Sequence, residues 1–149
     1  PACACGRLRR AARALTQLYD DAMTPSGLRI TQFSLLRTVA RDGTAHISDL
    51  AAALLLDRTA LSRNLDPLVA RGFLAVTPGR DARTREVALT RRGALALKSA
   101  IPCWKRAQAE VAKRLGRARL DALVATLADV EALHPDRQGR SHGRLKGTR

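Results

Sequence analysis

The spacing of apolar residues changes once along this chain of 149 residues, and that change limits the folds it can adopt. From residue 48 to residue 71 apolar side chains recur every three or four positions, which is typical of helices with one buried face. Phe73 to Thr77 and Arg85 to Leu89 are instead typical of strands, and the residues Pro78 to Asp81 between them of a turn. The pattern predicts two short helices followed directly by one β-hairpin.

Side chains that can cap helices mark the other predicted boundaries. Thr31 is placed to cap a helix that ends near residue 41, and Ser48 is placed to cap a helix that ends near residue 55. In the same way, Asp57 is placed to cap a helix that ends near residue 71, and Thr90 to cap a helix that ends near residue 115. Further helices are expected at residues 7–22 and about 117–133, and a short extended piece at residues 45–47. Pro102 is expected to kink the long helix.

The predicted order is helix, helix, short strand, helix, helix, hairpin, long helix, helix. Five leucines would pack the third helix against the fourth: Leu50, Leu54, Leu61, Leu65 and Leu68. Two short helices joined by a tight turn and followed by a basic hairpin form the winged helix-turn-helix pattern. We therefore expect a mainly α fold with a small β-hairpin, built around a winged helix-turn-helix DNA-binding lobe.

The outer face of the fourth helix carries polar and basic residues. An α-helix fits the major groove of B-DNA, and its N-terminal part reaches the base edges. Arg58 and Arg63 are therefore candidates to donate hydrogen bonds to guanine. Thr59 and Ser62 are candidates to contact bases or phosphates. Solvated surface residues are the alternative interpretation of the two arginines.

The predicted hairpin tip is also basic, with Arg80, Arg83 and Arg85. A basic loop of this size can reach the minor groove, where narrow A·T-rich segments concentrate negative potential. Asp81 lies two residues before Arg83 and can orient it through a charge-assisted bond, serve as a turn residue, or do both.

The charge balance favours a polyanionic partner. The chain has 27 Lys and Arg against 13 Asp and Glu, a net charge of +14 and a pI near 11.5. The longest apolar run, residues 50–56, is far shorter than the ~18 residues of a membrane span. DNA rather than a membrane is the expected partner, and the cytoplasm the expected location. The basic segment 134–149 has no apolar period and is expected to be disordered.

Two segments resemble the MarR family of regulators. Asp81-Ala82-Arg83, followed after five residues by Leu89-Thr90 and then Gly93, resembles that family's wing signature. The run from Leu61 to Leu65, and its continuation to Leu74, resembles the family's recognition helix and its exit. The likeness extends over about residues 7–133. It implies a transcription regulator, expected to be a repressor, in which Arg83 enters the minor groove and Asp81 is its structural partner.

The resemblance also implies a homodimer on a pseudo-palindromic site, with residues 1–133 as a single domain. Residues 30–90 would form the DNA-binding lobe, and residues 5–23 and 91–133 a helical dimerisation lobe. The sequence supports the dimer independently, because those flanking helices carry more apolar positions than one small lobe covers. Candidates are Leu8, Leu15, Leu95, Val111, Leu115, Leu120, Leu123, Val124, Leu127 and Val130. An ordinary intrachain bundle is the alternative.

Proteins of this family often lose DNA affinity when a small aromatic or phenolic compound binds, or when a cysteine is oxidised. Tyr19 and Trp104 are the candidates for an effector pocket; the alternative is that they anchor a core or an interface. The redox candidates are Cys3 and Cys5, which lie beside several arginines, and Cys103 as a resolving thiol. Inert cysteines are the alternative.

Other functions find less support in the sequence. His46, His134 and His142 have no metal-ligand spacing with each other or with the cysteines, so no metal or cofactor is expected. No nucleophile–base pair, phosphate loop or carboxylate pair has useful spacing, so the chain is not expected to be an enzyme. A winged helix that binds protein is an alternative function. RNA binding is disfavoured because the chain lacks an aromatic stacking platform.

Overall fold

The computed structural model describes residues 3–81 and 83–135, so most of the predicted tail lies outside the described residues. The described elements, in chain order, are α1 (Ala4–Met23), a 3₁₀ turn (Thr24–Ser26), α2 (Ile30–Asp42), β1 (Thr44–His46), α3 (Ile47–Ala53), α4 (Arg58–Ala70), β2 (Leu74–Pro78), β3 (Arg85–Leu89), α5 (Arg91–Leu115) and α6 (Arg117–Glu131). This order confirms the predicted mainly α fold. None of the described helices has both the length and the apolarity needed to cross a membrane.

The described chain divides into two compact units, and the boundary between them falls after Gln108, within α5. The core of the first unit lies around α2, which buries Phe33, Leu35, Leu36 and Val39. Of the five leucines expected between α3 and α4, four are buried and Leu54 packs against the core while partly exposed. The predicted packing of the helix pair is therefore confirmed.

The strands form one antiparallel sheet in the order β1-β3-β2, rather than a hairpin beside a lone extended piece. The hairpin pairs Leu74 with Leu89 and Val76 with Val87. On the other side of β3, Ala45 of β1 pairs with Val87. β3 is thus hydrogen-bonded to a strand on each side. β1 begins one residue earlier than predicted.

The predicted helix caps have mixed outcomes. Asp57 accepts a hydrogen bond from the Ala60 N–H at 2.7 Å, and Thr90 Oγ1 one from the Gly93 N–H at 3.0 Å, so both caps are confirmed. The cap at Thr31 is wrong, because α2 begins at Ile30 and the carboxylate of Asp20 accepts from the Ile30 N–H at 2.7 Å. The start of α2 is therefore capped by a side chain of α1.

The cap predicted at Ser48 is also wrong. The chain leaves the β1–β3 ladder at His46 and enters α3 at Ile47, so Ser48 already lies inside the helix. Asp49 lies in the first turn of α3, where its charge favours the helix dipole. The helix ends at Ala53, two residues before the predicted end, and Leu55 in the turn to α4 has a positive φ of 53°.

The second unit begins in the last turns of α5 and continues through Gly116, whose φ is 83°, into α6. No residue of α6 is buried. Apolar side chains are exposed along it, including Val124 at 59% and Val130 at 40%, and Leu133 just beyond it at 70%. A helix with this much exposed apolar surface is typical of one that has a partner.

Candidate nucleic-acid interface

Helix α4 has two chemically different faces. Leu61, Leu65 and Leu68 are buried and fix the helix on the core. The four residues of this helix that are predicted to contact DNA are all exposed: Arg58, Thr59, Ser62 and Arg63. Because Asp57 caps the first turn, Arg58 and Thr59 begin an ordered helix end rather than a frayed one. The sequence prediction that these polar groups share the outward face of one helix agrees with their exposure.

Hydrogen bonds within the loop connect the described residues of the hairpin tip. Asp81 Oδ1 accepts from the Arg83 backbone N–H at 3.1 Å, and the Asp81 carbonyl accepts from the Thr84 N–H at 2.9 Å. Gly79 N–H donates to the Thr84 carbonyl at 2.8 Å, and a Cβ at Gly79 would collide with the Thr84 side chain. Asp81 therefore shapes the loop through the backbone of Arg83 rather than through its guanidinium.

The arginines of α4 and the hairpin are available to a ligand. Arg80, Arg83 and Arg85 are exposed, as are Arg58 and Arg63. Within residues 3–81 and 83–135, ion pairs join Arg41 to Asp42 and Arg114 to Glu110, and His46 Nδ1 lies 3.9 Å from Glu86 Oε1. None of these contacts uses the five arginines. An exposed arginine without an acidic partner can neutralise a phosphate without first breaking an ion pair.

This geometry agrees with the comparisons to known proteins. The MarR family model matches residues 26–84, the segment from the α1–α2 corner to the hairpin tip. MosR, a transcriptional regulator of M. tuberculosis solved in complex with DNA, is 40% identical, with a TM-score of 0.75 over 89% of this chain and 100% of that one. The chain belongs to the MarR family. Members of this family are transcription regulators and not enzymes.

Two further MarR-family structures have DNA bound. A mutant MarR from E. coli, complexed with operator DNA, is 26% identical, with a TM-score of 0.76 over 84% of this chain and 91% of that one. The transcriptional repressor CouR, bound to a DNA duplex, is 27% identical, with a TM-score of 0.77 over 84% of this chain and 89% of that one. A comparison with curated protein sequences finds no match.

The two aromatic residues predicted for an effector pocket lie in different surroundings. Trp104 stacks on Phe33 with ring centroids 5.8 Å apart, and the Arg37 guanidinium lies 4.7 Å from its ring centroid. Tyr19 instead donates from its hydroxyl to Gln108 Oε1 at 2.7 Å, and burial raises the pKa of this phenol. Tyr19 is not among the residues that line the hollows beside Trp104.

Two hollows flank Trp104. One of about 190 Å³ is lined by Phe33, Arg37, Leu97, Ile101 and Trp104. The other, of about 440 Å³, is also lined by Phe33, Arg37 and Trp104, together with Ser34, Thr38 and Arg41. Sequence reasoning missed Phe33 and Arg37, although their spacing of four on α2 places them on one helix face.

The three cysteines are free thiols in two settings. Cys3 immediately precedes α1, Cys5 lies in its first turn, and both are exposed. Cys103 is buried, and Arg106 Nη2 donates to its sulfur at 3.3 Å. The described residues contain no group of three or more His, Cys, Asp or Glu side chains placed to hold a metal ion.

Proposed function

We propose that this protein is a homodimeric repressor that binds a pseudo-palindromic DNA site and is released by a small aromatic or phenolic ligand. The observation that carries the proposal is the outward face of α4, whose arginines are exposed and unpaired by any acidic residue of the described chain. Arg58 and Arg63 would donate to guanine edges in the major groove, with Thr59 and Ser62 on bases or phosphates.

The hairpin would supply the second contact. Arg83 would enter the minor groove, flanked by Arg80 and Arg85, while Asp81 holds the backbone of the loop. Arg83→Ala should weaken binding to all duplexes, reduce the slope of log K against log salt by about 0.9, and alter preference for A·T-rich flanks. Arg119→Ala is the matched control, because Arg119 is also an exposed arginine but lies on α6, outside the helix and hairpin proposed to bind DNA.

A mobility-shift titration over a range of salt concentrations tests this assignment. If Arg83→Ala binds as well as the wild type, the wing assignment is wrong. If the wild type does not shift even random duplex at low salt, the DNA-binding function is wrong, and a winged helix that binds protein becomes the better hypothesis.

The ligand would bind beside Trp104. A planar ring can extend the Phe33–Trp104 stack, and the Arg37 guanidinium can face a phenolate or carboxylate. Trp104 is the only tryptophan in the chain, so its fluorescence reports directly on this site. A panel of phenolic acids should contain a compound that changes Trp104 fluorescence and lowers DNA affinity, and Arg37→Met should weaken both effects. A compound that releases DNA without affecting Trp104 would contradict this location.

The homodimer is supported by the apolar side chains exposed on α6. Val124 is 59% exposed, and Val124→Asp would place a charge in the proposed interface. Light scattering should find a dimer for the wild type and a monomer for Val124→Asp. Thr126→Asp, two positions along the same helix, is the control and should remain a dimer. A monomeric wild type contradicts the proposal.

A second candidate is a cysteine-based redox response of the same DNA-binding protein. It is favoured by the exposure of Cys3 and Cys5 at the start of α1. Peroxide should then lower DNA affinity in the wild type but not in Cys3→Ser or Cys5→Ser. Equal peroxide sensitivity in all three proteins would exclude these thiols as the sensor.

A further inference from the structure

An arginine at the exit of α4 contacts the corner between α1 and α2. Arg71, the C-cap of α4, donates from Nη1 to the Gly27 carbonyl at 3.0 Å, across 44 positions of sequence. The same guanidinium lies 4.5 Å from the centroid of the Phe73 ring, which is buried. Although it is exposed, the side chain therefore makes two contacts, one polar and one aromatic.

The corner to which Arg71 binds is itself held against α1. Ser26 Oγ donates to the Met23 carbonyl at 2.7 Å, and Asp20 of α1 accepts from the Ile30 N–H at 2.7 Å. Gly27, between these two bonds, has a φ of 69°. A continuous set of contacts thus runs from α1 through the corner to the end of α4.

We infer that Arg71 is a positioning residue: buried leucines hold α4 on the core, and the bond from Arg71 to Gly27 adjusts the angle at which the helix meets DNA. The inference rests on the proposed role of α4 as the recognition helix. Helix α4 has 13 residues, a length of about 20 Å at 1.5 Å per residue. A tilt of about 5° at its C-terminal end therefore moves the Arg58 end by nearly 2 Å. A displacement of that size breaks hydrogen bonds to base edges but leaves nonspecific attraction to phosphates.

Two substitutions separate geometry from charge. Arg71→Met keeps a long apolar stem and removes both the donor and the charge. Arg71→Lys keeps the charge but loses the planar group that faces Phe73. The matched control is Arg92→Met, because the Arg92 guanidinium also faces Phe73, at 5.7 Å, but is not the group that binds Gly27.

The measurement is the ratio of two dissociation constants, with salt dependence for each. One probe is a duplex enriched from a random library by the wild-type protein, and the other is a scrambled duplex of the same length and composition. A variant that merely folds less weakens both constants by the same factor and leaves their ratio unchanged. The ratio therefore distinguishes positioning from a structural role, and a thermal melt of each variant records any loss of stability.

We expect Arg71→Met to lower the specificity ratio roughly tenfold and Arg71→Lys roughly threefold, without change in the salt slope. Arg92→Met should keep the wild-type ratio. The inference is overturned if either Arg71 variant keeps the wild-type ratio. It is also overturned if Arg71→Met weakens both duplexes equally and reduces the slope by about 0.9, the result expected for a direct phosphate contact. Failure of the wild type to enrich any duplex would instead contradict the proposed function, and this inference with it.

Discussion

Replacing Asp57 by alanine should destabilise the protein by about 1 kcal/mol relative to Asp57→Asn. The Asp57 carboxylate accepts one hydrogen bond, from the Ala60 N–H at 2.7 Å, and this bond caps α4. Asparagine caps helices about as well as aspartate, whereas alanine leaves the amide without its side-chain partner. Both substitutions remove the same negative charge, so their difference isolates the cap.

Urea unfolding followed by circular dichroism measures the effect. With a slope of about 2 kcal/mol/M, the alanine variant should unfold at about 0.5 M lower urea than the asparagine variant. Its thermal midpoint should be lower by about 2–4 °C. Specific DNA binding should weaken in Asp57→Ala relative to Asp57→Asn, because Arg58 and Thr59 lie in the loosened turn. If the two variants are equally stable within about 0.3 kcal/mol, the cap does not stabilise α4 and the reasoning is refuted.

Three further perturbations have defined outcomes. Leu61→Ala removes a fully buried side chain and should cost about 2–5 kcal/mol in urea unfolding, whereas a loss below 1 kcal/mol would contradict the tight packing of α4. Gly93→Ala should reduce folded yield because its Cβ would collide with the Phe73 carbonyl. Gly6→Ala on α1, where the new Cβ would meet only Cys3 at ordinary van der Waals distance, should instead stabilise the protein by about 0.5–1 kcal/mol. Similar outcomes for both would argue against the collision. Burial raises the pKa of Tyr19 above its unfolded value of about 10. The stability that the neutral phenol contributes is therefore fully present below about pH 10, and it is lost as the pH rises through the higher pKa of the folded state. Tyr19→Phe should flatten that alkaline decline, and phenolate absorbance of the only tyrosine should show the raised pKa.

Local interactions account for the parts of the fold that the sequence predicts well. The caps at Asp57 and Thr90 each bond to an amide three residues ahead, so both partners are visible in one short segment. The outward face of α4 follows from helical spacing in the same way.

The features that sequence reasoning missed depend on residues far apart in the chain. Asp20 caps α2 from ten positions away, and no local pattern marks that pairing. β1 joins β3 across about forty positions, which turns the expected hairpin into a three-stranded sheet. Trp104 lies beside Phe33 and Arg37 only because α2 and α5 pack together. Tyr19 bonds to Gln108, about one turn further along α5. These contacts are set by tertiary packing rather than by spacing.

The described core, within residues 3–81 and 83–135, buries no polar or charged side chain. The arginines proposed to contact DNA are exposed, and most substitutions at exposed positions change stability by less than about 0.5 kcal/mol. Evolution can therefore replace them one at a time without first acquiring compensating changes inside the protein. Duplicated genes of this design can diverge toward new promoters by single surface replacements, while selection for folding acts on a separate set of positions.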